Sequence, residues 1–399
     1  MARLNFVQFI FLAIVYAGIT GKSPATAEVM KGAYWFEQPL LPPSAIETSL
    51  FSHLYYAFVM PNNVTFKLEI SNSTATSISN FIDSLHSKDP TIKTLLSIGG
   101  GDSDSLVFST MASNSSTRKI FIDSTIEVAR NFGFDGLDLD WEYPQNPKEM
   151  NDLDLLLKEW RLAINLDATT SGRPPLLLSA AVYFAVEFFL SNTSRSYPVA
   201  SMNQNMDWIN VMSYDLHGAW SNNTGAPAGL FDPKSNVTVI YGIQSWIGAG
   251  ALPEKVIMGI PLYGRTWTLK DTSVHGMGAQ AVGAGPGNGT LQFFQVEQFN
   301  NDTGATVAYD VNTVSAYSYS GTSWIGYDDP LTVTAKIGFA QALGLRGYFF
   351  WACGFDAFNS NWKVARQGKI LFLSPCINNF LSSVHCELTH KSEVTLVKK

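Results

Sequence analysis

The stretch GFDGLDLDWEYP, residues 133–144, carries four carboxylates, Asp135, Asp138, Asp140 and Glu142, within eight positions. Leu137, Leu139 and Trp141 are interleaved with the last three acids. In a strand, side chains alternate between faces, so Asp138, Asp140 and Glu142 point one way and the apolar three the other. Neighbours on one face lie about 6.6–7 Å apart. In a dry site, carboxylates that close cannot all ionise freely, so at least one is expected to keep its proton near neutrality. A protonated carboxylic acid held this way is a general acid. Asp135 has the odd parity and falls off that face; it reads as structural, holding the turn into the strand. A divalent metal site is the rival reading of the cluster, but no phosphate-handling motif accompanies it. The three cysteines lack close-pair spacing and the six histidines are scattered, so no metal and no cofactor is expected.

These acids need elements to position them. Short β-rich runs recur at MKGAYWF (30–36), HLYYAFVM (53–60), TLLSIGG (94–100) and GLDLDWEY (136–143), then at LLLSAAVY (176–183), WINVMSY (208–214), KVIMGIPL (255–262) and GYFFWA (347–352). Helical periodicity lies between them. In residues 116–133, Ile122, Ile126 and Ala129 fall on one face, flanked by Phe121, Val128 and Phe132, and Gly133 stands where a C-terminal cap belongs. Eight strands alternating with helices predict an α/β fold, a (β/α)8 TIM barrel. No Gly-rich dinucleotide turn follows the first run, which argues against an open doubly wound sheet. Glu142 comes last in its run, at the C-terminal end where barrel enzymes build their sites. The interval before the eighth run is long and rich in Gly, Thr, Ser and Tyr. It predicts a small α+β insertion, 266–328, between strand 7 and helix 7, followed by a helix over 330–344. The barrel then spans 28–367, and the tail 368–399 has no clear place in it.

The N-terminus indicates the compartment. Arg3 precedes a mostly apolar run of 12 residues, Phe6 to Ala17, and a polar stretch ends in Ala25-Thr26-Ala27. That is the layout of a signal peptide, 1–27. A membrane anchor would need about 20 apolar residues. Eight Asn-X-Ser/Thr sequons, at Asn63, Asn72, Asn114, Asn192, Asn222, Asn236, Asn288 and Asn301, fit a secreted glycoprotein, extracellular or vacuolar. Cleavage after Ala27 would remove Arg3 and Lys22 and no acid, making the chain more acidic than its formal −7. Nucleic acid and membrane are poor partners for it. Aromatics are 13% of the chain, enough to supply both core and exposed platforms for the C–H faces of sugar rings. Of the cysteines, Cys353 reads as a buried thiol, while Cys376 and Cys386 could pair in the tail.

The sequence resembles the family 18 glycoside hydrolases. DGLDLDWEYP matches their DxxDxDxE signature, SIGG (97–100) their third-strand motif and MSYD (212–215) their sixth. GIPLYGRTW (259–267) and GYFFWACGFD (347–356) match the seventh and eighth strands, while KGAYWF (31–36) and FSHLYYAF (51–58) are similar to the opening of plant class V chitinases. The resemblance implies substrate-assisted, retaining cleavage of β-1,4-N-acetylglucosamine linkages, in which the sugar's own acetamido group attacks C1. By motif position Glu142 is the acid and later the base. Asp140 orients the acetamido N–H, Asp138 shares a proton with Asp140, and Tyr214 donates to the acetamido oxygen. Asp215 and Arg265 contact the distorted sugar and Trp351 is its floor. Met212, Tyr34 and Phe58 are candidates for pocket lining as well as core packing, and Gly99 and Gly100 are structural. The expected ligand is chitin or an N-acetylglucosamine oligosaccharide, taken by a monomer. Other readings are an inactive lectin or inhibitor on the same fold, and a hydrolase of N-glycans or lipo-chitooligosaccharides. Inactive relatives lose the terminal Glu or its partners; here Asp138, Asp140, Glu142 and Tyr214 are all present.

Overall fold

The computed structural model describes residues 29–38, 41–190, 193–356 and 362–368. Eight strands close into a parallel barrel: β1 (Met30–Phe36), β2 (His53–Val59), β3 (Lys93–Gly99), β4 (Gly136–Asp140), β5 (Leu177–Val182), β6 (Trp208–Val211), β7 (Val256–Pro261) and β8 (Gly347–Trp351). Each pairs with the next in chain order, and β8 returns to β1. The TIM barrel read from the sequence is thus the fold.

Strand parity sorts the core into two layers. Ala33, Trp35, Leu96, Leu137, Leu139 and Phe350 face outward and pack under the helices. Their neighbours of opposite parity, Tyr34, Tyr55, Leu95 and Phe349, fill the barrel interior. Interior space belongs to the same parity as Asp138 and Asp140, so the alternation that buries the leucines also commits the acids to the inside.

The helix read over 116–133 spans Ser115–Phe132. Asn114 caps its first turn, and Gly133 ends it at φ 82°, a conformation that suits a residue without Cβ. Phe121, Ile122, Ile126 and Ala129 are buried on the barrel side, with Val128 and Phe132 partly buried at the edge. The helix read over 330–344 spans Pro330–Ala342, closed at its start by Asp329 and Thr332.

The insertion is an antiparallel sheet built from Tyr263–Leu269, Ala281–Ala284, Thr290–Gln292, Thr306–Asp310, Ser315–Ser320 and Ser323–Tyr327, with a helix at Phe293–Thr303. It begins at Tyr263 rather than at 266, because the chain leaves β7 at Pro261 and turns straight into the new sheet. Trp267 and Trp324, ring centroids 5.2 Å apart, anchor its own small core. A buried ion pair marks its exit: Lys336 Nζ lies 2.5 Å and 2.6 Å from the two Asp328 oxygens. One element escapes sequence reading, a hairpin of Glu187–Leu190 and Thr193–Ser196.

Cys353 is buried and has no disulfide partner among the described residues, and burial pushes its thiol pKa up. Residues 1–27, Asn192, Cys376, Cys386 and the tail beyond Gly368 lie outside the described residues; the seven other sequon asparagines are exposed. No helix among the described residues is long and apolar enough to cross a membrane.

Candidate active site

Strand β4 ends at Asp140, and Glu142 follows two positions later in the bend that leaves the barrel's C-terminal rim. Asp138 sits deepest. Four donors meet its two oxygens: Ser97 Oγ at 2.7 Å and Tyr34 OH at 2.9 Å on Oδ2, Ser179 Oγ at 2.7 Å and Asn210 Nδ2 at 3.4 Å on Oδ1. Ser97 and Ser179 are its register partners on β3 and β5, so the barrel's own pairing delivers them. Burial raises the Asp138 pKa while these donors pull it back. A carboxylate has about four acceptor sites, and here all are taken. Among the described residues no hydrogen bond joins Asp138 to Asp140. The floor residues, not Asp140, supply the hydrogen bonds of Asp138 there.

Asp140 is 4% exposed, and its Oδ1 is buried with no partner among the described residues. Burial, then the charges of Glu142 and Asp138, hold its pKa well above the ordinary carboxylate value. Glu142 is shifted the same way by burial, opposed by the Tyr143 hydroxyl and reinforced by the charges of Asp215 and Asp102. Two like-charged groups in one dry site cannot both ionise in the usual range, so the pair keeps a proton to higher pH.

The SIGG turn permits this arrangement. Gly99 adopts φ 112°, and a Cβ there would lie 2.1 Å from the Asp140 carbonyl oxygen. Gly100 adopts φ 97°, donates its N–H to that oxygen at 2.8 Å, and would put a Cβ 2.6 Å from the Phe58 ring. Phe58 in turn stacks on Trp351 at 5.6 Å between centroids, and Phe36 stacks on it at 6.0 Å. Three non-proline peptide bonds at these strand ends are cis: Ala57–Phe58, Glu142–Tyr143 and Trp351–Ala352.

On the opposite wall, Tyr214 is held edge-on between Phe349 and Tyr263, and burial pushes its pKa well up, keeping the hydroxyl a neutral donor. Asp215, at φ 55°, accepts from Tyr263 OH at 2.8 Å and from the Arg265 fork. Arg265 also donates to Thr290 Oγ1 at 2.7 Å, and its guanidinium carbon lies 5.2 Å from the ring centroid of the exposed Trp220.

Asp140, Glu142, Tyr214, Asp215, Met212, Arg265, Phe58, Trp351 and Gly99 all line one cleft of about 1020 Å³. Asp138 and Gly100 lie beneath it. Tyr34 does too: of the two roles the sequence left open for it, pocket lining and core packing, its position is that of core packing. It is 1% exposed, stacked on Tyr55 at 4.4 Å and bonded to Asp138, because β1 reaches the rim only at Phe36. Asp135 lies at the far end of β4, where Lys93 Nζ (2.8 Å) and the Thr94 N–H (2.9 Å) hold it. Sequence reading missed the floor residues Ser97, Ser179 and Asn210, although each is a lone polar residue in an apolar run. It also missed Glu37, Asp102 and Trp220, which come from rim loops. Among the described residues no group of three or more His, Cys, Asp or Glu side chains could hold a metal ion.

A closed parallel barrel with buried, proton-holding carboxylates beside an aromatic floor at its C-terminal rim defines a glycoside hydrolase. The chain belongs to the glycosyl hydrolases family 18, whose model matches residues 25–356. It is 58% identical over 345 residues to Nod factor hydrolase protein 1 of Medicago truncatula, covering 85% of this chain and 89% of that protein. It is 56% identical over 341 residues to the class V chitinase CHIT5b of the same plant, with coverage of 85% and 89%. A class V chitinase from Nicotiana tobaccum, solved as a variant in complex with NAG4, superposes with a TM-score of 0.81 at 40% identity. That match covers 86% of this chain and 98% of the other.

Proposed function

We propose that this enzyme is an endo-acting chitinase, hydrolysing β-1,4 linkages of chitin or N-acetylglucosamine oligosaccharides with retention. The observation that carries the reading is the unpartnered, buried Asp140 Oδ1 beside Glu142 and across from Tyr214. An acetamido group fits that gap: its N–H gives Asp140 the donor it lacks, and its carbonyl oxygen can accept from Tyr214.

The steps follow from these positions. With the sugar over Trp351, Glu142 donates its proton to the glycosidic oxygen as the C1–O bond breaks. The acetamido oxygen supplies the electron pair that forms the new bond to C1, giving an oxazolinium ion whose positive charge faces Asp140. Glu142, now a carboxylate, takes a proton from water as that water attacks C1 and the ring opens. Two inversions leave the β-anomer. The same proposal takes the enzyme to be secreted and to act as a monomer, outside the cell or in the vacuole.

The near-equal similarity to Nod factor hydrolase protein 1 favours a second substrate, an acylated chitin oligomer. Phe184, Leu216 and Val237 make part of the cleft lining apolar, a surface an acyl chain could follow.

The test is hydrolysis of a soluble chitin hexamer by the parent and by Glu142→Gln, recording product sizes and anomers, with an acylated pentamer in parallel. Short β-anomeric products, lost in the variant, are expected. Binding of the hexamer without cleavage by either protein would make the barrel a lectin, and cleavage of the acylated substrate alone would move the assignment to it.

A further inference from the structure

Glu142 has to meet the glycosidic oxygen with its proton in place, yet the sheet does not hold it there. The last ladder pair between β3 and β4 is Gly99–Asp140, two residues short of the acid. Among the described residues Trp141, Glu142 and Tyr143 make no backbone-to-backbone hydrogen bond. Side chains have to supply what the ladder does not.

One side chain reaches both neighbours of the acid. The Ser105 hydroxyl donates to the Tyr143 carbonyl oxygen at 2.9 Å and accepts the Trp141 Nε1–H at 2.9 Å. A serine hydroxyl has a single proton to give, so the two bonds fix its direction as well as its partners. Trp141 is 3% exposed and stacks on Phe108 at 6.0 Å between centroids, which anchors its end of the bridge in the core. Gln145 Nε2 is a second donor to the Tyr143 carbonyl, at 2.8 Å. Ser105 and Phe108 share one helix, Ser105–Ala112, whose first turn is capped by Asp104. The loop leading into that helix also passes the carboxyl itself, since a Cβ on Gly101 would lie 3.4 Å from Glu142 Oε1. The exit from β3 thus backs the acid at one point and grips the residues on either side of it at another.

We propose that Ser105 is a positioning residue for the reaction, bridging Trp141 and Tyr143 so that the Glu142 carboxyl between them stays aimed into the cleft. The proposal rests on the reading of Glu142 as the acid and adds a group that does not itself line the cleft. A misplacement of about 1 Å can cost on the order of a hundredfold in rate. The groups assigned to grip the sugar, Asp140, Tyr214 and Trp351, make no hydrogen bond to Ser105 among the described residues. Losing the bridge therefore lowers kcat and leaves KM nearly unchanged.

Steady-state hydrolysis of the soluble chitin hexamer by the parent, Ser105→Ala, Ser124→Ala and Glu142→Gln tests this. Ser124 Oγ accepts the Leu68 N–H at 3.0 Å in a buried bond, so its loss is a comparable defect that leaves Trp141 and Tyr143 untouched. Ser105→Ala should lose about tenfold to a hundredfold in kcat with KM within about twofold of the parent, while Ser124→Ala keeps both. Ser105→Cys keeps a side chain of similar size with a weaker donor and acceptor. Its kcat should fall between those of the parent and Ser105→Ala, and it carries the test if the alanine variant does not fold. A parental kcat in the Ser105 variants, a loss expressed in KM alone, or an equal fall in Ser124→Ala overturns the bridge. If Glu142→Gln has lost hydrolysis, any of these results removes Ser105 and leaves the acid standing. Full hydrolysis by Glu142→Gln, or none by the parent, overturns the acid assignment and the bridge with it.

Discussion

The Arg265 guanidinium holds the Asp215 carboxylate with two nitrogens, Nε at 2.8 Å from Oδ1 and an NH2 at 2.7 Å from Oδ2. This fork fixes a residue in left-handed backbone, Asp215, that lies beside Tyr214 on the cleft wall and feeds negative charge toward Glu142. A lysine supplies one point donor and cannot reproduce the planar fork, the Thr290 bond or the stacking under Trp220. Arg265→Lys should lower kcat/KM by about tenfold to a hundredfold, one or two charge-assisted hydrogen bonds. Steady-state hydrolysis beside circular dichroism checks this. An unchanged kcat/KM in a folded variant would remove Arg265 from the working site.

Asp138 makes a different prediction, because it touches no cleft surface. Removing its carboxylate leaves the Ser97, Tyr34 and Ser179 hydroxyls without their acceptor, while Asn210 keeps its bond to Tyr34 OH. Each buried donor left unsatisfied costs about 1–3 kcal/mol, and Asp138→Ala leaves several at once, whereas losing one hydroxyl donor costs about 1 kcal/mol. Thermal denaturation should therefore rank Asp138→Ala far below Ser97→Ala and Ser179→Ala, which should sit close to the parent. Similar melting temperatures for all three would mean that the network contributes little to the fold.

The contrast between these residues explains what was legible in the sequence. Asp138 and Asp140 could be placed inside the barrel because strand periodicity assigns a face without further information, and the apolar partners Leu137 and Leu139 leave no choice. Glu142 already lies beyond the strand, so parity alone does not place it; the motif did that. Tyr34 was left open between pocket and core, since parity gives the face of a strand and says nothing of depth along it. Glu37, Asp102 and Trp220 were invisible, because rim loops have no period to read. The hairpin at 187–196 was hidden as well: its strands are four residues each, too short for alternation to stand out.

The pH dependence of the reaction should carry the signature of Glu142. It must be protonated to act as the acid, and burial together with the Asp215 and Asp102 charges holds its proton above the ordinary carboxylate range. Activity should therefore decline as pH rises through that raised value. Replacing Asp102 with Asn removes a like charge and should move the declining limb of kcat to lower pH. Measured profiles of parent and Asp102→Asn that coincide would show that Asp102 is too well screened to act on Glu142.

Stability should fall with rising pH for a reason that lies outside the cleft. Asp356 is 3% exposed, and its carboxylate accepts the N–H groups of Val364 and Ala365, each at 2.9 Å. Burial outweighs these donors and pushes its pKa to about 7, against 3.8 when free. The folded chain therefore holds this proton more tightly than the unfolded chain. The resulting stabilisation is complete below the free value and is lost as pH climbs through about 7. The loss is on the order of 4 kcal/mol, from roughly 1.4 kcal/mol per unit. Asp356→Asn cannot ionise, so its denaturation free energy should fall less steeply between the two values than that of the parent. The buried Asp140 and Glu142, shifted in the same direction, should keep some slope in both proteins. Urea titrations at stepped pH measure the difference. Parallel curves would mean that Asp356 ionises freely in the folded protein, with water or a shifted segment relieving its burial.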